Sequence, residues 1–386
     1  MQTSLTFSAV LLATTLSFAG CKKDHVTTAT AMTQPHVTGE NTRIQVALLL
    51  DTSNSMDGLI DQAKSRLWNI VNTLTTLKYS GKSPEIEISL YEYGNDGLSA
   101  EANYIRQVTP LTTDLDLISE KLFSLRTNGG SEYCGAVISD ATRRLQWSRE
   151  KTDMKLLYIA GNEAFDQGGI SYKESVADAL KNDIFVNTIF CGNAYEGINT
   201  HWKDGADRGN GKYFNINSDE KVRYIVTPYD ERIYKCNERL NATYIGYGKS
   251  GKEKKMAQLQ QDANAETVSK ANYAERTVSK SKMAYKNANW DLVDKAKDDK
   301  EAVTNMKKEE LPEELQGKTK EELRAFIDRK TKERSDIQKE IAELAVKREA
   351  FINTESKKTK TQDDLGKAIS QSIIAFAEAK GYTSEK

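Results

Sequence analysis

Four apolar-rich runs at 44–50 (IQVALLL), 86–93 (IEISLYEY), 155–160 (KLLYIA) and 184–190 (IFVNTIF) constrain this chain most. Each is short and rich in β-branched or aromatic residues, which suits a strand buried on both faces. A shorter candidate is YIRQV at 104–108. Between the runs lie segments of helical period, at 56–77, 114–125, 133–147 and 172–182. In DLDLISEKLFSL, Leu115, Ile118, Leu122 and Leu125 recur at three- and four-residue spacing, which puts them on one helix face. Strand and helix in alternation predict an α/β fold with a doubly wound, mostly parallel sheet. Ligands in such folds sit at the carboxyl ends of the strands. Asp51, Asn162 and Cys191 all fall at those ends or just past them.

The composition changes past about residue 250. Only Gly317, Gly366 and Gly381 of the 23 glycines, and Pro312 of the five prolines, lie in 252–386. In 319–355, Leu323, Lys330, Ile337, Leu344 and Phe351 repeat every seven residues, and Ile327, Arg334, Ile341 and Arg348 form a second seam. That is a coiled-coil pattern with polar interruptions. Thr319 and Glu322 are spaced as a capping box at its start. Leu365, Ile369, Ile373 and Phe376 mark a further helix stripe with Gly381 as its stop. Residues 253–306 read as helical with a weaker stripe, and KNANW and LPEELQG permit hairpin turns. We therefore expect 251–386 to be a helical, coiled-coil-like module: a hairpin, a stalk, or solvated helices without a partner.

The N-terminal LTFSAVLLATTLSFAG is uncharged and too short to span a bilayer, and it fits the apolar region of a signal peptide. Ala19 and Gly20 directly precede Cys21, which resembles the bacterial lipoprotein signal, although Phe18 stands where Leu is usual and no Lys or Arg precedes the run. The resemblance implies a signal over 1–21, lipidation of Cys21, and a chain lipid-anchored to a bacterial membrane outside the cytoplasm. Lys22 after the cysteine resembles the pattern sorted to an outer membrane, where the host has one. Residues 22–42, rich in Thr and charge without apolar period, read as a flexible tether.

Lys and Arg number 55 and Asp and Glu 56, so no global charge excess points to nucleic acid or to a basic partner. Two of the three histidines, His25 and His36, lie in the tether and no CxxC is present, which argues against a zinc centre. No Ser-His-Asp order appears at strand ends and no nucleophile elbow is visible, so we expect a non-enzymatic chain. Glu163 and Asp166 in GNEAFD are the residual candidates for acid–base work.

Asp51 closes the first buried run, and Ser53 and Ser55 follow at alternate positions. Three oxygens on one loop suit a hard divalent cation such as Mg²⁺ or Ca²⁺, and the serines also suit capping of the next helix. This DTSNS resembles the DxSxS signature of the von Willebrand factor type A (VWA) family, over roughly 43–225. The resemblance implies a Rossmann-like VWA fold, a metal-ion-dependent adhesion site, and a protein or surface-polymer partner at the upper face. The family's second loop, Gly-Gly-Thr, corresponds to Gly129-Gly130-Ser131, with Ser131 keeping the hydroxyl. Its third loop, Thr-Asp-Gly-Glu, corresponds to Ala160-Gly161-Asn162-Glu163, so the expected carboxylate is missing.

The expected metal set is thus Asp51, Ser53, Ser55, Ser131 and Glu163, with Glu132 or Asp166 as other sources of the missing oxygen. Weak, water-rich binding or a metal-free site remain the alternatives. In this fold Cys134 and Cys191 would both lie on the carboxyl edge, as a disulfide stiffening the loops or as two buried thiols. Cys236 has no obvious partner. Trp202 and Tyr213 are expected to pack rather than bind. Two functions follow: an anchored adhesion-type module over 43–250, or a structural envelope lipoprotein that acts and self-associates through its coiled-coil tail, with a metal-free VWA scaffold.

Overall fold

The computed structural model describes residues 42–358 and 365–384. The signal segment 1–21, Cys21 and the tether up to residue 41 lie outside the described residues. The chain runs through β1 (Arg43–Asp51), α1 (Asp57–Thr75), β2 (Leu77–Lys78), β3 (Glu85–Tyr93), β4 (Ile105–Thr112), α2 (Leu115–Ser124) and α3 (Cys134–Arg144). It continues with β5 (Met154–Gly161), α4 (Tyr172–Lys181), β6 (Ile184–Cys191), α5 (Ala194–Asn199), α6 (Trp202–Arg208) and β7 (Tyr213–Ile216). Then come α7 (Asp230–Asn241), α8 (Gly251–Val268), α9 (Lys270–Lys280), α10 (Leu292–Asp298), α11 (Lys300–Thr304), α12 (Lys320–Ser356), α13 (Leu365–Ala379) and β8 (Thr383–Ser384).

The main sheet has the order β4-β3-β1-β5-β6-β7. β1, β3, β5, β6 and β7 are mutually parallel, as their buried apolar runs require, and only the edge strand β4 is antiparallel, against β3. The sheet separates two apolar layers. One holds α3 and α4 against Leu49, Leu157, Val186 and Phe190. The other holds α1 and α2 against Leu48, Leu50, Leu156 and Ile189, and runs on without a break into Ala265, Tyr285, Ile337, Leu344 and Ile373 of the later helices.

That continuity is where the structure departs from a stalk. The described residues form one compact unit. α13 lies along the sheet beside α1: the Tyr158 and Ser372 hydroxyls meet at 2.6 Å, Phe185 stacks on Phe376 at 5.0 Å, and the Thr73 and Ser370 hydroxyls lie 3.0 Å apart. β8 then pairs antiparallel with β2. The tail thus completes a helical layer that residues 42–227 leave open.

The heptad of α12 is covered in the same way. Leu323, Ile327, Ile337, Ile341 and Leu344 are buried within the chain, so the seam expected to drive self-association is already occupied by α7, α9 and α10. Its polar interruptions are the reason it fits there. Arg334 reaches Asp291 at 2.7 Å and Asp294 at 2.9 Å and lies over the Tyr244 ring at 3.9 Å, and Arg348 reaches Asp230 at 2.8 Å. A buried guanidinium needs such fixed carboxylates, and a second copy of α12 would not supply them at those positions. The capping box is present: Glu322 N–H donates to Thr319 Oγ1 at 3.2 Å and Thr319 N–H to Glu322 Oε2 at 2.8 Å.

Candidate metal-ion-dependent site

Asp51 ends β1 between the ends of β3 and β5, so its carboxylate rises between two glycines. Gly94 follows β3 with φ +75°, and a Cβ there would stand 2.9 Å from Asp51 Oδ1 and 2.8 Å from Glu132 Cγ. Gly161 ends β5, and a Cβ there would stand 2.5 Å from Tyr93 Oη and 3.0 Å from Asp51 Oδ2. Tyr93 Oη donates to the Ala160 carbonyl at 3.0 Å and holds that volume. The missing carboxylate of the third loop therefore has a steric cause. Tyr93 fills the space in which a side chain at 161 would begin.

The first loop leaves β1 with Thr52 N–H donating to the Tyr93 carbonyl at 2.9 Å, and Asn128 N–H donates to the Thr52 carbonyl at 2.9 Å, tying the second loop to the first. Ser53 N–H donates to Asp51 Oδ1 at 2.8 Å. The Ser53 and Ser55 hydroxyls converge at 3.3 Å, and Asn162 Nδ2 donates to Ser55 Oγ at 3.1 Å. Ser53 precedes the single 3₁₀ turn that leads into α1, and its side chain makes no capping bond there. Its hydroxyl is therefore not committed to the helix end.

Asp51 is fully buried and its Oδ2 has no hydrogen-bond partner. Burial, with repulsion from Glu132 and Glu163, pushes its pKa up to about 8. Glu132 is itself raised by burial and then by Glu163. A buried, unpaired carboxylate is costly, so without a cation the Asp51 carboxyl favours its protonated form, and a hard cation would let it ionise beside the hydroxyls. Asp51, Ser53 and Ser55 fit such an ion, and Ser131 stands half-buried on the second loop just before α3.

The structure redistributes the remaining acidic roles. Glu163 is exposed and acts on Asp51 through its field. Glu132 is buried beside Asp51 and is the better placed second carboxylate. Asp166 is exposed and faces His201 at 3.6 Å. Among the described residues, no group of three or more His, Cys, Asp or Glu side chains is arranged to hold a metal ion, so hydroxyls would have to supply part of any shell.

Cys134, Cys191 and Cys236 are free and buried, so the disulfide expected between Cys134 and Cys191 is not formed. The reason is the period of a strand. Cys191 follows Phe190 in β6, and the two point into opposite layers. Cys134 shares the Phe190 layer and Cys191 lies across the sheet from it. Trp202 is buried, and its Nε1 donates to the Glu163 carbonyl at 2.7 Å, which makes it a brace for the third loop. Tyr213 is half-buried and its hydroxyl donates to the Ala194 carbonyl at 3.1 Å. The roles of Gly94 and Tyr93 were missed in the sequence, and Glu132, expected there only as another source of the missing oxygen, is the better placed carboxyl. A glycine directly after a strand beside a DxSxS strand was the signal available for the first.

The sequence model of the von Willebrand factor type A domain matches residues 45–227. The chain thus carries a VWA domain, a module that generally mediates protein interaction and adhesion and often binds a divalent metal. Solved structures similar to it include BatB from Bacteroides thetaiotaomicron, at 16% identity over 45% of this chain and 90% of that one, with a TM-score of 0.35. Others are an aerotolerance-related membrane protein from Bacteroides fragilis (15% identity, 46% and 93% covered, TM-score 0.32) and the SpRpn10 VWA domain (14% identity, 46% and 90% covered, TM-score 0.33). No curated protein sequence matches the chain.

Proposed function

We propose that this chain is a lipid-anchored, extracytoplasmic binding protein without enzymatic activity. It presents the upper face of its VWA domain, with a partly altered metal-ion-dependent site, to a protein or a surface polymer. The observation that carries this reading is the buried Asp51 carboxylate, with Oδ2 unpartnered at the strand end where the hydroxyls of Ser53 and Ser55 converge. A bound Mg²⁺ or Ca²⁺ supplies positive charge that a partner's carboxylate can complete. Asp51, Ser53, Ser55 and Ser131 would hold it, Glu132 would add the charge that Gly161 withholds, and Glu163 would hold solvent-side charge. Cys21 carries the anchor, and residues 22–42 serve as the tether between membrane and domain.

Titration calorimetry of Mg²⁺, Ca²⁺ and Mn²⁺ into the full chain tests the site. Heat that disappears in Asp51→Ala and weakens in Glu132→Gln supports the reading. A folded Asp51→Ala that binds as the parent does would sink it. Fractionation of cells carrying Cys21→Ser tests the anchor, with release from the membrane fraction as the expected result. The tail-driven alternative is disfavoured by the buried seam of α12. No helix among the described residues is long and apolar enough to cross a membrane.

A further inference from the structure

The third loop lacks its carboxylate because Tyr93 fills the space beside Gly161. The next residue, Asn162, turns its amide to the first loop instead, where Nδ2 donates to Ser55 Oγ at 3.1 Å. Ser55 Oγ lies 3.3 Å from Ser53 Oγ, and Ser53 N–H donates to Asp51 Oδ1 at 2.8 Å. Asn162, Ser55, Ser53 and Asp51 thus form one line of polar contacts across the two loops. Ser55 is exposed while Ser53 and Asp51 are buried, so the line runs from solvent to the buried carboxyl.

Two oxygens of these four residues are left over. Asp51 Oδ2 is one. Asn162 Oδ1 is the other: it is buried and has no hydrogen-bond partner among the described residues, although the Nδ2 of the same amide is bonded. A buried acceptor without a donor is costly, and two of them at one strand-end site call for a common partner from outside the chain.

Hard cations accept an Asn amide oxygen beside carboxylate and hydroxyl oxygens. The terminal torsion of an Asn side chain is twofold, so a half-turn exchanges Nδ2 and Oδ1 at the Ser55 hydroxyl. With the serine lone pairs turned to a cation, an N–H at that point is opposed and the oxygen is favoured. We propose that Asn162 is the third-loop ligand of this site, its Oδ1 taking the place of the carboxylate that Tyr93 excludes at 161. The assignment rests on the metal-binding reading of the site given above. It divides the work: Glu132 supplies charge, and Asn162 supplies a neutral oxygen. An amide adds no charge, so the ion is held more weakly than a carboxylate at 162 would hold it.

Calorimetry of Mg²⁺ and Mn²⁺ into the full chain and its Asn162 variants is the test. Asn162→Asp keeps the shape of the side chain and should tighten binding about tenfold, and Asn162→Ala should weaken it about tenfold. Asn162→Cys should lose Mg²⁺ and gain Cd²⁺, with a thiolate-to-cadmium absorption band beyond that of the parent, which carries the same other cysteines. The band requires the side chain at 162 to touch the ion, and a residue that only braces Ser55 would not give it. Circular dichroism checks each fold, and Asn162→Asp decides if either of the others is unfolded. The parent chain and Asp51→Ala judge the underlying reading separately. If the parent binds, Asn162→Ala binds as well, Asn162→Asp is no tighter and no band appears, the Asn162 assignment alone is overturned. A parent chain that binds no cation overturns both.

Discussion

Two groups of buried carboxylates in this molecule behave in opposite ways. At the junction of α2, α8 and α9, Arg276 reaches Asp116 at 2.8 Å and Asp262 at 2.6 Å, and Lys280 Nζ reaches Asp262 at 2.8 Å. Burial alone would raise the Asp262 carboxyl, but Lys280 and Arg276 more than offset it and hold it well below the usual range. Asp51 and Glu275 are as deeply buried, yet each keeps an oxygen without a partner, and both are pushed upward, to about 8 and about 7. Paired charge fastens the tail helices to the VWA domain. The carboxyls without a fixed cation are the ones that burial pushes toward the protonated form.

The first way to break that comparison is to unpair the paired set. Arg276→Met leaves Asp116 and Asp262 without their shared guanidinium, and should cost about 3 to 5 kcal/mol in urea unfolding. A loss below about 1 kcal/mol would mean that the network is not what holds α9 in place.

The unpaired set should respond to pH in the reverse sense. The Glu275 carboxyl has a folded pKa of about 7 against an ordinary value of 4.5, so the native state binds the proton more tightly than the unfolded chain. Its contribution is fully present below about 4.5 and declines as pH rises through about 7. Glu275→Gln should flatten that decline by about 1 to 3 kcal/mol, read from urea unfolding at pH 5 and pH 8. An unchanged slope contradicts the assignment.

The third prediction sharpens the account of the third loop. Gly161→Asp restores the family's residue type but drives a side chain into the Tyr93 hydroxyl, and should destabilise by about 1 to 3 kcal/mol without tightening metal binding. Tyr93→Phe in the same chain removes that hydroxyl and should recover part of the loss. Additive effects of the two changes would exclude the steric explanation.

The smallest effect is expected on the surface. Arg239 and Glu340 link α7 to α12 at 2.7 Å, but both side chains are substantially exposed. Arg239→Ala should cost less than about 1 kcal/mol in thermal unfolding, and less still at high salt. A loss like that of Arg276→Met would erase the distinction between buried and exposed pairs.

What the chain encodes locally was legible in its residues. The four apolar runs became β1, β3, β5 and β6 within a residue or two, and the helix-period segments became α1 to α4. The heptad and the Thr319–Glu322 box announced α12, and KNANW and the Pro312 segment fell at helix breaks. These signals work because periods of 2 and 3.6 put apolar residues on one face whatever the rest of the chain does. The DxSxS placement at a strand end was legible for the same reason.

Tertiary structure alone decided which faces meet. Nothing within α13 says that it will lie on β5 and β6 beside α1, and nothing within α12 says that Arg334 will find Asp291 about forty residues before it. Nor do spacings reveal that Cys134 and Cys191 lie on opposite sides of the sheet, or that Tyr93 occupies the space a residue at 161 needs. Each of these depends on contacts between segments far apart in the chain. Periodicity fixes which side of an element is apolar, and only packing fixes what covers it.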